Sequence, residues 1–92
     1  MGHYVGGSAP AMVRQITEGY TLVNAVMLKR FTAAELDNLI FEMEKKLREI
    51  RGEVTDVSDI QATQNRNRRL SRLENALRVV RGTRQERFRR GG

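Results

Sequence analysis

The fold is decided by residues 31–81, which read FTAAELDNLIFEMEKKLREIRGEVTDVSDIQATQNRNRRLSRLENALRVVR. In the first part of this stretch, apolar residues recur with alternating spacings of four and three. Those residues are Leu36, Ile40, Met43, Leu47 and Ile50. A repeat of about 3.5 residues is typical of the seam between paired helices. The stretch therefore predicts a helix over 33–51 that packs against a second helix.

Both ends of this first helix carry local signals. Thr32 and Glu35 can form a capping box, in which each side chain accepts a hydrogen bond from the other residue's N–H. Phe31 lies just before the cap, where it can pack on Leu36. Gly52 is predicted to end the helix in the left-handed conformation.

A second helix is predicted over 58–81, where leucine and valine recur on one side. The stripe consists of Ile60, Leu70, Leu73, Leu77 and Val80. Thr63 and Asn67 stand on the same side, where they either fix the register of the helix pair or face solvent. Gly82 is predicted to end this helix. The fold class that follows is mainly α, an antiparallel two-helix hairpin of about 33–51 and 58–81.

The linker between the two helices allows two interpretations. In the first, Ser58 caps the second helix and Gln61 completes a capping box. Val57 then packs on Ala62. In the second, residues 54–63 form a small β-hairpin. We favour the first, because a Ser-Asp turn lacks the glycine that tight hairpin turns prefer.

The rest of the chain is predicted to attach to this hairpin, residues 31–82. Residues 1–30 form an irregular N-terminal arm, with a short helix over 10–18 that follows Ser8 and Pro10. Residues 20–27 are either a strand or the approach to the next helix, since their periodicity does not decide. Residues 83–92 form an Arg-rich tail with too little apolar surface to fold alone.

Phe41 lies off the apolar stripe of the first helix, about 140° from Leu36. Either the N-terminal arm packs on it, or it contacts another molecule. With the two stripes it makes up the predicted protein interface. The residues of that interface are Leu36, Ile40, Phe41, Met43, Leu47, Ile50, Leu70, Leu73, Leu77 and Val80.

Positive charge is concentrated in the second half of the chain. Residues 1–57 hold seven basic and eight acidic residues, whereas residues 58–92 hold ten arginines and three acids. A guanidinium group binds phosphate or carboxylate through paired hydrogen bonds. These arginines are therefore predicted to contact nucleic acid, through its phosphates, or an acidic partner. They are Arg66, Arg68, Arg69, Arg72, Arg78, Arg81, Arg84, Arg87, Arg89 and Arg90.

No residue pattern points to catalysis, a cofactor or a metal. The chain has no cysteine and one histidine, His3 in a glycine-rich terminus, whereas a zinc site needs three or four convergent ligands. Neither glycine-rich phosphate-binding motif is present. We therefore expect no enzyme activity, no cofactor, no metal and no small-molecule substrate.

The size and hydropathy of the chain bear on its partners. A chain of 92 residues buries only about 60–65% of its unfolded surface, so we expect a homo-oligomer or a subunit of a larger complex. No apolar run approaches the roughly 18 residues that a membrane span needs, so no membrane partner is expected. No secretion signal is recognisable, and an intracellular or virion location is expected.

The order of parts from Phe31 to the end is a capped helix, a Val/Thr linker over 54–57, a second helix over 69–80, and an Arg-rich tail containing Phe88. This order resembles that of small head–tail joining (neck) proteins of tailed bacteriophages. The resemblance implies a non-enzymatic protein that assembles as a ring at the portal and borders the DNA channel. The chain departs from that family in its shorter linker and its extra 30-residue arm.

Residues 33–81 also resemble the helical-hairpin protein of the large ribosomal subunit, whose Arg-rich second helix touches ribosomal RNA. Neither resemblance assigns a role to an individual residue. The expected function is a structural assembly protein that docks through its helix stripes and directs a basic face at nucleic acid or an acidic neighbour. The alternatives are a small RNA- or DNA-binding hairpin and an antitoxin-like adaptor hairpin that binds one protein partner.

Overall fold

The computed structural model describes residues 3–89, which form four helices. They are α1 (Ala9–Thr17), α2 (Ala25–Leu28), α3 (Ala33–Arg51) and α4 (Ile60–Arg89). Helices α3 and α4 pack together, α1 packs on both, and α2 packs on α4. No strand occurs between residues 3 and 89, so the mainly α fold class is confirmed. The molecule measures 50 × 25 × 19 Å, and α4 alone, at about 1.5 Å per residue, accounts for most of its length.

One apolar core joins the N-terminal helices to the hairpin. Met12, Val13 and Ile16 of α1 are buried in it, as are Leu28 and Phe31 at the end of α2. The short helix predicted over 10–18 is confirmed. The rest of the arm, as far as the structure describes it, is irregular as predicted except for the four-residue α2, and its apolar side chains pack against the helix pair.

Local signals explain the bounds of α1. The Ala11 N–H donates to the Ser8 hydroxyl at 3.2 Å, and Pro10 occupies the first turn, where its missing N–H costs nothing. The helix ends before Gly19, whose φ of +85° is unfavourable for other residues. A Cβ at Gly19 would lie 3.0 Å from the guanidinium carbon of Arg72. Glycine here therefore allows both the turn and the close approach of α4.

The start of α3 has the predicted capping box. The Glu35 N–H donates to the Thr32 hydroxyl at 3.1 Å, and the Thr32 N–H donates to the Glu35 carboxylate at 2.8 Å. The His3 N–H donates to the same carboxylate at 3.0 Å, and its Nδ1 lies 2.8 Å from it. Phe31 and Leu36 are both buried at this end. The predicted helix over 33–51 is confirmed.

These hydrogen bonds make the start of α3 sensitive to acid. Bonds from the Thr32 N–H and from His3 lower the pKa of Glu35 from 4.5 to about 2. A carboxyl whose pKa is lower in the folded chain stabilises the fold at higher pH, and this contribution is lost as the pH falls through the folded pKa. We therefore expect wild type to be more stable than Glu35→Gln near neutral pH, with a difference that shrinks between pH 4.5 and about 2. Urea unfolding across this range measures the difference, and a difference independent of pH would contradict the prediction.

The linker between α3 and α4 differs from the favoured interpretation. Asp59, not Ser58, caps α4, since its carboxylate accepts from the Ala62 N–H at 3.0 Å. Ser58 donates its N–H and its hydroxyl to Asp56, at 2.9 and 2.8 Å. Val57 is 94% exposed, so it does not pack on Ala62. The predicted Ser58 cap is wrong because the neighbouring Asp56 carboxylate binds that serine in a turn of its own.

The β-hairpin alternative over 54–63 is also absent. Residues from Ile60 onward belong to α4, and no strand is present in the linker. Gln61 is predicted to complete a capping box, but its side chain makes no hydrogen bond within residues 3–89. The Thr63 hydroxyl donates to a carbonyl one turn earlier, and Asn67 is exposed. Thr63 and Asn67 are predicted either to fix the register of the helix pair or to face solvent. Asn67 therefore has the second of these roles.

Gly52 follows α3 without the predicted left-handed conformation. Its φ is −84°, and its N–H donates to the Arg48 carbonyl at 3.0 Å. A side chain binds the last carbonyls of the helix instead. Arg66 donates to the Ile50 and Arg51 carbonyls, each at 3.1 Å. An external donor removes the need for the glycine-dependent turn, which explains why the prediction is wrong.

Gly82 does not end α4, which continues for about two further turns to its last residue. Arg84 and Arg87 hold this extension, because they bind the Asp37 carboxylate and backbone carbonyls after α2. These long-range contacts outweigh the low helix propensity of glycine. The predicted tail, residues 83–92, is therefore helical through position 89, and its remainder lies outside the described residues.

Alanine substitutions at Gly82 and at Gly19 are expected to change the free energy of unfolding in opposite directions. A Cβ at Gly82 would meet no atom within 4 Å, and glycine in a helix interior costs about 1 kcal/mol relative to alanine. We expect Gly82→Ala to raise the free energy of unfolding by about 0.5–1 kcal/mol. Gly19→Ala should lower it, because of its φ and its contact with Arg72. Chemical denaturation measures both, and a destabilised Gly82→Ala variant would contradict the prediction.

Phe41 is not covered by the N-terminal segment. Its side chain is 57% exposed. Tyr4 packs edge-on against Phe31 instead, with ring centroids 5.7 Å apart, and its hydroxyl donates to the Glu35 carbonyl at 2.9 Å. The interpretation in which the arm packs on Phe41 is wrong, and contact with another molecule stays a prediction.

Candidate interaction surface

Most of the predicted protein interface lies in the chain's own core. The buried members are Leu36, Met43, Leu47, Ile50, Leu73, Leu77 and Val80. Ile40 and Leu70 are half-buried against the same core, and Phe41 is exposed. Apart from Ile60, which is exposed, the two stripes pack with each other and with α1, so they are not accessible to a partner in this fold. Within the predicted set, Phe41 is the side chain that a partner could reach.

Ion pairs join α3 to α4 along the side of the hairpin that α1 leaves open. They are Arg84–Asp37, Arg81–Glu44 and Arg51–Glu74. Their α3 members follow one another at intervals of seven residues, as expected of positions that flank the seam of paired helices. Exposed pairs of this kind contribute about 0–1 kcal/mol each. Their main effect is therefore to specify the antiparallel register.

A further pair closes the linker end of the hairpin. Arg69 donates to the two carboxylate oxygens of Glu53, at 2.9 and 2.7 Å. This paired hydrogen bonding lowers the pKa of Glu53 and raises the pKa of Arg69. Three of the ten predicted contact arginines, positions 69, 81 and 84, thus bind acids of α3 or of the linker that follows it.

Three other arginines of α4 bind backbone carbonyls at the ends of α3, α1 and α2. These capping arginines are Arg66, Arg72 and Arg87. Arg72 donates to the Thr17 carbonyl at 3.2 Å. The final carbonyls of a helix lack partners within the regular helix. Arg66 and Arg72 supply donors to the Arg51 and Thr17 carbonyls at such ends, whereas the Ile50 and Leu28 carbonyls also accept a backbone N–H. None of the three forms an ion pair with a carboxylate among residues 3–89, although the charge of Arg66 helps to lower the pKa of Glu53.

Arg87 makes the most extensive of these contacts. It donates to the Leu28 and Lys29 carbonyls, at 3.4 and 3.3 Å. It also donates to the Phe31 carbonyl. The segment from α2 to the start of α3 is thereby attached to the last turns of α4.

The remaining predicted arginines lie on the outer side of α4. The Arg68 side chain is exposed and makes no hydrogen bond or ion pair within the described part of the chain. Arg78 donates to the Asn75 side chain at 3.3 Å, and Arg89 lies 3.7 Å from Glu86 on the same helix. We call Arg68, Arg78 and Arg89 the outer arginines. Arg90 lies outside the described residues.

Large apolar side chains remain uncovered on several sides of the molecule. They are Tyr20, Leu22, Val26, Phe41, Val54, Val57, Ile60 and Phe88. Three of them cluster at the linker, three belong to the segment between α1 and the end of α2, and the two phenylalanines lie on α3 and α4. Single exposed apolar residues are ordinary, but clusters of them mark surfaces that contact other molecules.

The segment from Gly19 to Lys29 forms a groove with α4. Two cavities of about 520 and 370 Å³ adjoin there, and Val79 lines both. We call this the α4 groove. Its walls include Leu22, Ala25, Arg72, Val79, Gly82 and Arg87. The groove thus combines exposed apolar side chains with two of the capping arginines.

Sequence reasoning did not find the α4 groove. Its signal was the apolar run over 20–27, whose periodicity does not decide between a strand and the approach to the next helix. A second signal was Gly82, which the sequence placed at a helix end and the structure places on the groove wall. Neither signal identifies a site before the packing of α2 on α4 is known.

Neither a metal site nor a membrane-spanning helix is found between residues 3 and 89. Between residues 3 and 89, no group of three or more metal-ligating side chains is positioned to hold an ion. No helix in that range combines the length and the hydropathy that crossing a bilayer requires. Comparisons with family models, with curated proteins and with solved structures found no match to this chain.

Proposed function

We propose that this chain is a non-enzymatic structural protein that docks in a larger assembly. The observation that carries the proposal is that the helix stripes are buried in a core while eight large apolar side chains among residues 3–89 remain exposed. The core already uses the helix stripes, so the exposed set is free for a partner. Docking therefore uses the α4 groove, the linker and the exposed phenylalanines rather than the stripes themselves.

The more specific proposal is a head–tail joining component of a phage virion. It rests on the order of parts: a capped helix, a short linker, and a second helix that ends in arginines. The long α4 and its outer arginines give such a subunit one basic side. In a ring of copies, that side would face nucleic acid or an acidic neighbouring protein.

Mass measurement in solution tests the assembly proposal. We expect size-exclusion chromatography with light scattering, with and without nuclease treatment, to give a single closed multiple of the 10.5 kDa chain or a stable complex with another protein. Nuclease should leave that mass unchanged if protein contacts hold the assembly. A folded chain that stays monomeric at the highest attainable concentration, and that copurifies with nothing, would overturn the proposal.

A second candidate function is binding to RNA or DNA through phosphate contacts. The outer arginines favour it, because Arg68 has no partner within the described residues and Arg78 binds only the neutral Asn75. Affinity for a generic duplex should then fall steeply between low and moderate salt. Replacing Arg68 and Arg78 together with glutamine should weaken binding to all sequences alike and reduce the salt dependence. Unchanged affinity in that double variant would remove this candidate.

A further inference from the structure

We infer that the α4 groove binds an acidic amphipathic helix of a partner protein. This inference rests on the proposed function, because it assigns one docking surface of the assembly subunit and the chemistry of its partner. It commits to a protein segment with apolar anchors and flanking carboxylates.

The apolar part of the groove is open to solvent at the segment after α1. Leu22 is 84% exposed and Tyr20 is 80% exposed, and both line the cavity beside Val79. Neither side chain is needed to complete the core. Burying such side chains against apolar anchors of another helix gains about 25 cal/mol per Å².

Gly82 is a second and independent sign of an approaching chain. It interrupts a 30-residue helix, yet no atom of the described chain lies where its side chain would be. A glycine in a helix interior is unfavourable, and no contact within the described chain explains it. A glycine on the groove wall leaves room for a partner backbone to approach α4 closely.

The charges at the groove identify the kind of partner. Four cations line it, and they are Lys29, Arg72, Arg78 and Arg87. Two acids line it, and one of them, Glu86, lies 3.7 Å from Arg89. Arg72 and Arg87 bind backbone carbonyls, so their charges are fixed in place without a carboxylate partner. A rim of this charge favours a ligand that carries acidic residues.

Other occupants fit the groove less well. A second copy of the chain would bring another net charge of +6, and in a two-fold contact its basic rim would face this one. A nucleic acid would match the cations, but it would leave the aliphatic Leu22 without an apolar partner. Along α4, the distance from Arg72 to Arg87 is about 22 Å, which matches about four turns of a bound helix.

Designed peptides test the inference on the full chain. The probe is a fluorescein-labelled helical peptide of about four turns, with a leucine stripe and glutamate elsewhere. One control peptide has lysine in place of glutamate. Another has the same composition, but its leucines no longer lie on one face of the helix, so that the stripe is broken. By fluorescence anisotropy, we expect the striped acidic peptide to bind at least about tenfold more tightly than either control, as expected when apolar anchors and charge both contribute. Amide chemical shifts should change mainly over residues 19–29 and 72–87.

Matched substitutions separate the groove from general charge attraction. Leu22→Ser should weaken binding of the striped acidic peptide about tenfold, whereas Val57→Ser, at a site 94% exposed on the linker, should change it less than about twofold. Arg78→Gln should weaken binding several-fold more than Arg68→Gln, because only Arg78 lines the groove. All four side chains are exposed, so the variants are expected to fold.

Several outcomes would overturn the inference. They are absence of binding, equal binding of the striped and broken peptides, equal losses in the groove and control variants, and tighter binding of a DNA duplex that changes the same amide shifts. The proposed function is tested separately. If the assembly still forms in the Leu22→Ser variant and no peptide binds the groove, the assembly proposal stands and the assignment of its partner fails.

Discussion

Replacing Leu73 with alanine is expected to lower the free energy of unfolding by about 3 kcal/mol. Leu73 is fully buried on α4, in the core that this helix shares with α1 and α3. Removing its side-chain atoms loses their transfer free energy and leaves a cavity that neighbouring helices fill only in part. A domain of this size is stable by only about 5–10 kcal/mol, so this one change would remove a large part of the margin.

Urea denaturation followed by circular dichroism measures the effect. The matched control is Leu22→Ala, the same substitution at a site that is 84% exposed, which should change stability by less than about 0.5 kcal/mol. Equally small losses in the two variants, below about 0.5 kcal/mol, would mean that Leu73 is not part of a closed core. A loss at Leu22 as large as that expected for Leu73 would mean that a partner or a second copy already covers the α4 groove.

The parts of the fold that the sequence predicted correctly depend on neighbours within a few residues. The capping box of Thr32 and Glu35 and the seam repeat determine α3, and Ser8 with Pro10 determines the start of α1. Such signals depend on hydrogen bonds within one turn, so they can be recognised without knowing the rest of the fold.

The errors concern contacts between residues far apart in the chain. Local signals predict a helix end at Gly82 and a left-handed conformation at Gly52. Instead, Arg87 holds α4 beyond Gly82, and Arg66 binds the last carbonyls of α3, which does end before Gly52. The error at Ser58 has a short-range cause. The Asp56 carboxylate binds the Ser58 hydroxyl, and the Asp59 carboxylate caps α4 in its place. A sequence does not show which of several adequate donors or acceptors will lie at the right distance.

The candidate surface illustrates the same limit. Composition correctly identified α4 as the basic helix, and charge counting treated all of its arginines as one face. The structure divides them into arginines that bind acids, arginines that bind carbonyls and the outer arginines. The groove depends on residues 19–29 lying beside α4, and no spacing within either segment encodes that approach.

Arg87→Met is expected to lower the free energy of unfolding by about 2 kcal/mol. Hydrogen bonds from a charged donor contribute about 1.5–3 kcal/mol, and here one guanidinium binds the carbonyls of Leu28, Lys29 and Phe31. Methionine keeps much of the apolar stem but removes every donor. The carbonyls would then have to find water, and the last two turns of α4 would lose their attachment to the segment after α2.

The matched control is Arg68→Met, on the same helix, where no bond within residues 3–89 is lost and the expected change is within about 0.5 kcal/mol. Amide hydrogen exchange adds a second measurement. Protection should fall in the turns after Gly82 in Arg87→Met and stay unchanged in Arg68→Met.

This pair of variants separates two roles that counting charges does not distinguish. Replacing an arginine that holds the fold lowers the free energy of unfolding. Replacing an arginine that only contacts a polyanion weakens binding of that polyanion and leaves stability unchanged. If Arg87→Met unfolds at the same urea concentration as Arg68→Met, its carbonyl contacts do not hold α4, and Arg87 returns to the group available for a partner.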